Sequence, residues 1–209
     1  MSSRSYGQYC GLARSLDAIG DRWSLLIVRE LLLGPLRYNE LRTAVDGIAT
    51  NLLADRLRDL ESAGVIERQV ARPGGVAYAL TPWGAQLREA VESLVRWSTP
   101  LMISGQGSDA FSPRWLAVAL PALLHQRRAR RPAEVGIDLP GLFVTLRIDK
   151  DGPHVTADPD RRPDTILTAA PEIILGLAAG ALSLDQALPA ARVQGDPHVL
   201  RTVFVGAPA

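Results

Sequence analysis

The chain has 209 residues, of which 47% are hydrophobic and 22% charged, a composition typical of a folded protein with one large or two small domains. No apolar run approaches the roughly 20 residues of a membrane span, and the N-terminal stretch lacks the apolar core of a signal peptide. A cytoplasmic protein with no membrane partner is therefore predicted. A single cysteine excludes an internal disulfide, and the net charge of +1 is low for a protein that binds nucleic acid.

Two helices are predicted at the start of the chain. The first covers Tyr9–Ile19, with Leu12, Leu16 and Ile19 facing inward at helical spacing. The second covers Arg22–Leu33, and Asp21 is placed to cap its first turn.

Cys10 opens the first helix and allows two interpretations. A thiolate at a helix N-terminus has a lowered pKa, which favours oxidation and makes Cys10 a redox candidate. The alternative is a small apolar side chain buried at a dimer interface. The chain holds no second cysteine to resolve an oxidised thiol, which favours the second interpretation, although a disulfide between two chains stays open.

A helix-turn-helix pattern follows. Tyr38–Ala44 is predicted to be a short helix, and Gly47 to supply the left-handed backbone of a sharp turn. Thr50 is predicted to cap a second helix over residues 50–63. The apolar side of this helix is a stripe at helical spacing formed by Leu53, Leu57 and Leu60.

The opposite face of the second helix carries Asn51, Asp55 and Arg58, flanked by Thr50 and Ala54. Asn and Arg on the first turns suit a helix that enters a DNA major groove and bonds base edges. A solvated helix face is the alternative. Asp55 would be repelled by phosphate, so it either meets a cytosine amino group or orients Arg58.

Residues 65–80 alternate as two strands around a turn at 72–75, which predicts a β-hairpin. A helix-turn-helix followed by a hairpin is a winged helix. Arg68 and Arg72 in this wing are expected to reach phosphates or the minor groove. Arg37, at the start of the short helix, is either a phosphate contact or a solvated side chain.

Several motifs carry a family resemblance between Cys10 and Trp97: residues 20–31, 34–41, 47–48, 56–61, 64–66 and 78–84. Together they resemble the HxlR-type regulators, relatives of the MarR group. Such regulators are dimeric DNA-binding transcription factors without catalysis, and in some members a cysteine near this position is a redox switch. The resemblance implies a homodimer that reads a pseudo-palindromic site in double-stranded DNA with the helix 50–63 and the wing 65–80. The predicted DNA contacts are Arg37, Thr50, Asn51, Leu52, Ala54, Asp55, Arg58, Arg68 and Arg72.

A domain boundary is predicted after the wing. Thr81 is expected to cap a helix over residues 82–99. Residues 104–108 are rich in glycine and serine, as in a linker. The predicted domains are therefore a mainly α, winged helix-turn-helix domain over 1–103 and a second domain over 109–209.

The second domain is predicted to be α+β, with a small, mostly antiparallel sheet backed by helices. Its helices are expected at 112–128, 171–179, 184–188 and 197–205, and its strands at 134–139, 142–148, 154–157, 165–168 and 191–194. Asp149–Gly152 is a predicted hairpin turn. The basic cluster Arg127–Arg131 is interpreted as a solvated helix end rather than a DNA contact.

Four motifs of this region, at 164–167, 171–175, 180–187 and 192–196, resemble a sterol carrier protein type 2 domain. The resemblance implies an apolar tunnel that holds a lipid-like small molecule. The implied wall residues are Leu142, Val144, Leu146, Ile166, Ile173, Ile174, Leu177 and Leu182. The alternative is that these side chains only fill a core, because pockets and cores use the same residue types.

No metal-ligand spacing, phosphate loop or serine elbow occurs, so no catalytic residue, metal or cofactor is predicted. The predicted function is a homodimeric DNA-binding transcription regulator, not an enzyme, modulated by an apolar small-molecule effector in its second domain. One alternative is a thiol sensor acting through Cys10. The other is a lipid-binding or enzymatic domain that is merely tethered to a DNA-binding domain.

Overall fold

The computed structural model describes residues 5–71, 74–102, 107–158 and 160–205. The chain divides into two compact units, Met1–Val91 and Glu92–Ala209. This division falls inside a helix, whereas the sequence places a linker at 104–108, of which residues 104–106 lie outside the described residues. The domain limits 1–103 and 109–209 therefore stay a prediction. Within the described ranges, no helix has both the length and the apolarity to cross a membrane.

The first unit is a winged helix-turn-helix, as predicted. Its elements are α1 Gly11–Ile19, α2 Ser24–Leu31, β1 Leu36–Arg37, α3 Tyr38–Ala44, α4 Thr50–Ser62, β2 Ile66–Val70, β3 Val76–Leu80 and α5 Pro82–Ala85. The next helix, α6, covers Leu87–Ser98 and so contains the boundary between the two units, and a short 3₁₀ turn, Thr99–Met102, follows it in the second unit. The three strands form an antiparallel sheet in the order β1-β3-β2.

The leucine stripe of α4 is buried, as predicted. Leu53 and Leu60 are fully buried, and Leu57 is 1% exposed. Burying each of these side chains contributes about 1.5–3 kcal/mol to folding. The stripe therefore fixes the rotation of α4 about its axis, and the opposite face of the helix is left outside the core.

Two predicted helix caps are wrong. Thr50 is the first residue of α4 rather than its cap, and Ala49, which precedes the helix, has no side-chain oxygen to offer. Asp21 does not cap α2, because this helix begins only at Ser24. The carboxylate of Asp21 instead pairs with Arg56, so a contact that is distant in sequence replaces the local one.

The cap at Thr81 is confirmed. Its hydroxyl accepts a hydrogen bond from the backbone N–H of Gly84 at 3.0 Å and donates one to the carbonyl of Gly64 at 2.7 Å. The helix that was predicted over residues 82–99 is instead two helices, α5 and α6. Thr81 thus joins the end of α4 to the start of α5.

The inward orientation predicted for Leu12 and Leu16 is wrong for the single chain. Leu12 is 69% exposed and Leu16 is 40% exposed, whereas Ala13 is the buried residue of α1. The small Ala13 side chain brings α1 close to the rest of its unit. The two leucines therefore lie on a face that the described residues of this unit do not cover.

The second unit is α+β, as predicted. After a 3₁₀ turn at Pro113–Trp115, its elements are α7 Leu116–Leu123, β4 Ala133–Leu139, β5 Leu142–Ile148, β6 Pro153–Thr156, β7 Ile166–Thr168, α8 Pro171–Ala178, α9 Leu184–Ala187, β8 Arg192–Gln194 and α10 His198–Leu200, which continues as a π-helical turn, Arg201–Val205. The strand order is β6-β5-β4-β7-β8. β4 and β7 pair in parallel, and the other three neighbouring pairs are antiparallel.

Helix α7 is shorter than the predicted range 112–128. The chain turns back after it, because the N–H of Ala129 donates to the carbonyl of Asp149 at 3.0 Å instead of continuing the helical ladder. Side chains of the basic cluster bond backbone carbonyls: Arg128 donates to His125 at 2.8 Å, and Arg127 donates to Val205 at 2.6 Å.

The two faces of the second unit's sheet differ in character. On one face, alternate side chains of β4, β5 and β7 pack into the apolar core with α7, α8 and α10. These core strand residues are Val135, Ile137, Leu139, Val144, Leu146, Ile148 and Leu167. The other face, which we call the outer face, carries the polar and charged members of the same alternation.

Candidate nucleic-acid interface

The face of α4 opposite the leucine stripe is accessible to a macromolecule. Thr50, Asn51 and Arg58 are exposed, whereas Leu52 and Ala54 are half-buried. The exposed polar side chains thus lie on the first turn of α4, at Thr50 and Asn51, and two turns later at Arg58.

Asp55 and Arg58 form an ion pair one turn apart on α4. The side chains are about half exposed, at 49% for Asp55 and 54% for Arg58. Arg58 Nε also lies 3.4 Å from the carbonyl of Ala54. The contact agrees with the interpretation in which Asp55 orients Arg58. A guanidinium has five N–H donors, so one carboxylate leaves donors available for a base edge.

Tyr38 positions the start of α4, a role that the sequence reasoning missed. Its hydroxyl donates a hydrogen bond to the backbone carbonyl of Thr50 at 2.9 Å. Between these residues, Gly47 adopts a φ of 82°, a left-handed conformation that favours glycine. The sequence feature that could have indicated this role is a tyrosine, which has a hydroxyl able to donate a hydrogen bond, at the first position of α3.

Arg37 lies beside the turn end of the wing. It is part of β1, where it pairs with Ala77 of β3, and its Nη1 comes within 3.6 Å of the position that a Cβ on Gly75 would occupy. Its backbone N–H donates to the Glu40 carboxylate at 2.6 Å. The half-buried guanidinium is therefore held beside the hairpin rather than on the surface of α3 alone.

Arg68 is held across the wing. Its guanidinium lies 3.1 Å from the Glu61 carboxylate at the end of α4, and 5.8 Å from the centre of the Tyr78 ring. At the far end of the hairpin, Val70 and Val76 pair in register and are both exposed. Arg72, predicted to contact phosphate, lies outside the described residues.

Arg56 belongs to the scaffold and not to the accessible face. Its side chain is 17% exposed and bridges the carboxylates of Asp21 and Asp59, the latter at 3.2 Å. This arrangement ties α4 to the loop before α2.

The segment that contains this interface is similar to known helix-turn-helix proteins. Residues 18–104 match the model of the HxlR-like helix-turn-helix family. The uncharacterized HTH-type transcriptional regulator YvaP of Bacillus subtilis (strain 168) is 33% identical over 88 residues, which are 41% of this chain and 82% of that protein. The HTH-type transcriptional regulator YodB of the same organism is 35% identical over 86 residues, 40% of this chain and 77% of YodB.

This chain belongs to the HxlR-like helix-turn-helix family. Its relatives are named as transcriptional regulators, and membership implies DNA binding. A solved structure of the reduced form of YodB from B. subtilis is 32% identical, with a TM-score of 0.41, and the match covers 47% of this chain and 99% of that one.

Cys10 precedes the segment that matches the HxlR-like model. The thiol is exposed and unpaired at the start of α1. Hydrogen bonds from the backbone N–H groups of Ala13 and Leu12 hold the pKa of the Cys10 thiol below its ordinary value. The thiolate is the nucleophilic form, so the geometry favours reactivity.

Most of the second unit lies beyond the HxlR-like segment. Four of its eight predicted wall residues, Val144, Leu146, Ile174 and Leu177, are at most 3% exposed within the core. The other four are half-buried: Leu142, Ile166, Ile173 and Leu182. Of the eight, Ile166 alone lines a groove of about 470 Å³, and that groove is on the outer face of the sheet.

Proposed function

We propose that this HxlR-like regulator acts in the cytoplasm as a homodimer that reads a pseudo-palindromic operator through α4 and the wing. The observation that supports this most directly is the placement of Asn51 and Arg58. Both lie on the accessible face of α4, while the leucine stripe holds the other face in the core. Their amide and guanidinium groups match the donor and acceptor patterns of adenine and guanine in the major groove.

The remaining proposed contacts anchor the phosphate backbone. Arg37 lies beside the turn end of the wing, and Arg68 lies on its first strand. We propose Arg72 as a third contact of this kind. Thr50, at the N-terminus of α4, adds a hydroxyl and a backbone N–H that suit a phosphate oxygen. Such contacts set affinity and register, whereas Asn51 and Arg58 carry sequence preference.

The exposed apolar side chains of α1 and α6 support the homodimer. Leu12 and Leu16 are exposed on α1, and Leu94 and Trp97 are exposed on α6, at 47% and 74%. In the resembled family, the corresponding helices pack against their copies around a two-fold axis. Such a dimer would present two recognition helices at half-sites about one turn of DNA apart, or a multiple of it.

The test of this function is selection of operator sequences from random double-stranded DNA, with the dimer measured by light scattering. We expect a selected sequence with two-fold symmetry, bound by two chains. The logarithm of affinity should fall linearly with the logarithm of salt concentration as phosphate contacts release counterions. A monomer at the working concentration, or a selected pool without symmetry, would contradict the proposal.

We propose further that an apolar small molecule in the second unit modulates operator binding. The resemblance to sterol carrier protein type 2 domains supports this proposal. Four of the implied wall residues, Val144, Leu146, Ile174 and Leu177, are packed in the core, so a ligand would have to open that core to bind between the sheet and the helices. A ligand shifts DNA binding only if it binds one dimer arrangement more tightly than another. Mass spectrometry of molecules released from the purified protein identifies a candidate. An operator affinity unchanged by a ligand that occupies the second unit would instead favour a tethered lipid-binding domain.

A second candidate function is thiol sensing, which the exposure of Cys10 and the lowered pKa of its thiol favour. Because the thiolate persists to lower pH, alkylation by iodoacetamide should reach half its maximal rate at a lower pH than a free cysteine thiol does. If Cys10 is the sensor, an oxidant should release wild-type protein from its operator, and Cys10→Ser should stay bound. A Cys10→Ser protein that still responds to the oxidant would remove this candidate.

A further inference from the structure

The strand pairing of the second unit assembles a charged patch on the outer face of its sheet. Neighbouring strands bring residues into register in rows that run across β5, β4, β7 and β8. One row consists of Phe143, Asp138, Thr168 and Arg192. The adjacent row consists of Thr145, Gly136, Ile166 and Gln194.

A glycine creates a depression in this patch. A Cβ on Gly136 would lie 2.5 Å from Cζ of Phe143 and 3.2 Å from Cγ1 of Ile166, so any larger residue would displace the ring. Because position 136 is glycine, the Phe143 ring lies across β4. The guanidinium of Arg162 stacks over this ring, 3.7 Å from its centre.

The result is a groove with the size of a small-molecule site. Its volume is about 470 Å³, within the range of roughly 300–1,000 Å³ that is usual for such sites. The lining combines apolar surface from Phe143 and Ile166 with the side chains of Asp138, Thr168, Gln194 and two arginines, Arg162 and Arg192. Val193 contributes backbone only, because its side chain packs against the core on the other face.

The charges of the groove favour an anion that also carries a donor. The lining includes two guanidinium groups and one carboxylate, that of Asp138. Asp138 makes one long contact, 3.5 Å from the hydroxyl of Thr168, and so keeps acceptor capacity. Among the described residues, Arg192 has no hydrogen bond or ion pair through its side chain, and it lies exposed on the edge strand β8.

We propose that this groove binds a small organic carboxylate that carries a hydrogen-bond donor on an apolar body. The ligand carboxylate is held by Arg192 and Arg162, since a guanidinium forms paired hydrogen bonds to carboxylate oxygens. The ligand donor, a hydroxyl or ammonium group, is held by Asp138, and the apolar body lies on Phe143 and Ile166. This site is distinct from the apolar site proposed on the helix-packed side of the sheet.

Calorimetric titration of the full-length protein, without DNA, tests the proposal. The probes are 4-hydroxybenzoate and L-phenylalanine, which both combine a carboxylate, a donor and an aromatic body. We expect one molecule to bind per chain. The methyl ester of 4-hydroxybenzoate, which lacks the negative charge, should bind about tenfold more weakly or worse, because hydrogen bonds to charged groups are the stronger class.

Variants locate the binding. Arg192→Gln and Asp138→Asn should each weaken binding by about tenfold, and both replace side chains outside the apolar core. Arg130→Gln is the matched control, since Arg130 is an exposed arginine of the same unit that does not line the groove. It should leave binding unchanged, and thermal unfolding should show that all three variants fold.

Three results would overturn the proposal. The first is that neither probe binds at millimolar concentration. The second is that both probes bind Arg192→Gln and Asp138→Asn as tightly as the wild type. The third is that Arg130→Gln weakens binding as much as Arg192→Gln, which would mark a general charge effect. None of these measurements involves DNA, so a negative result would reject the ligand site without bearing on operator recognition.

Discussion

Replacing Arg58 with alanine is expected to weaken operator binding and to relax base preference at one position of each half-site, while leaving the protein folded. A bidentate contact between arginine and guanine contributes about 1–3 kcal/mol of discrimination. The proposed homodimer would make the contact twice, so the loss is about 2–6 kcal/mol, or roughly 30-fold to 10⁴-fold in operator affinity. The Arg58 side chain is 54% exposed, so the core does not depend on it. Fluorescence anisotropy with the selected operator and with scrambled DNA measures the effect.

The ion pair between Arg58 and Asp55 requires a control, because Arg58→Ala leaves the carboxylate of Asp55 without its guanidinium partner. Repulsion between this carboxylate and phosphate would lower affinity for all DNA, whatever its sequence. The double variant Arg58→Ala/Asp55→Ala removes that repulsion and should still lack the base preference that Arg58 provides. Arg130→Ala, which removes an exposed arginine elsewhere, should keep the preference. An Arg58→Ala dimer with unchanged base preference at every operator position would show that α4 does not read the sequence through this side chain.

Replacing Gly84 with alanine should strongly destabilise the winged helix. A Cβ at this position would lie 1.9 Å from the carbonyl oxygen of Val65 and 2.9 Å from its carbonyl carbon. That oxygen accepts the backbone N–H of Thr81 at 3.1 Å, so it cannot move away without loss of the joint between α4 and α5. We expect a loss of about 3 kcal/mol or more, which lowers the melting temperature of a domain of this size by about 12 °C or more.

Gly11→Ala is the matched control for this substitution. A Cβ on Gly11 would meet no atom within 4 Å, and its φ is not in the left-handed range. The same chemical change in a helix should therefore be neutral or slightly stabilising. Differential scanning calorimetry of both variants measures the contrast. Equal melting temperatures for Gly84→Ala and Gly11→Ala would mean that the packing of α5 against Val65 is looser than the structure describes.

The helices and strands of both units could be predicted because their apolar residues repeat with the period of the element. The stripe of α4 and the alternation in β4 and β5 each report one buried face, and the turn at Asp149–Gly152 follows the predicted hairpin. Helix ends were less predictable. Thr50 has the side chain of a cap, but the bond from Tyr38 to its carbonyl and the start of α4 after Ala49 place it inside the helix.

The sequence alone determined the fold class of each unit and the exposed polar face of α4. It also contained the motifs by which the winged helix resembles the HxlR-type regulators. Each of these depends on residues that are close together in the chain. Tertiary structure decided what the remaining side chains contact. The pairing of Asp21 with Arg56, the exposure of Leu12 and Leu16, and the groove on the outer sheet face could not be read from periodicity. Alternation along β4 shows that Asp138 and Gly136 share a face. Only the register with β5, β7 and β8 sets Arg192 and Phe143 in the same row, because strand order depends on the packing of residues that are far apart in sequence.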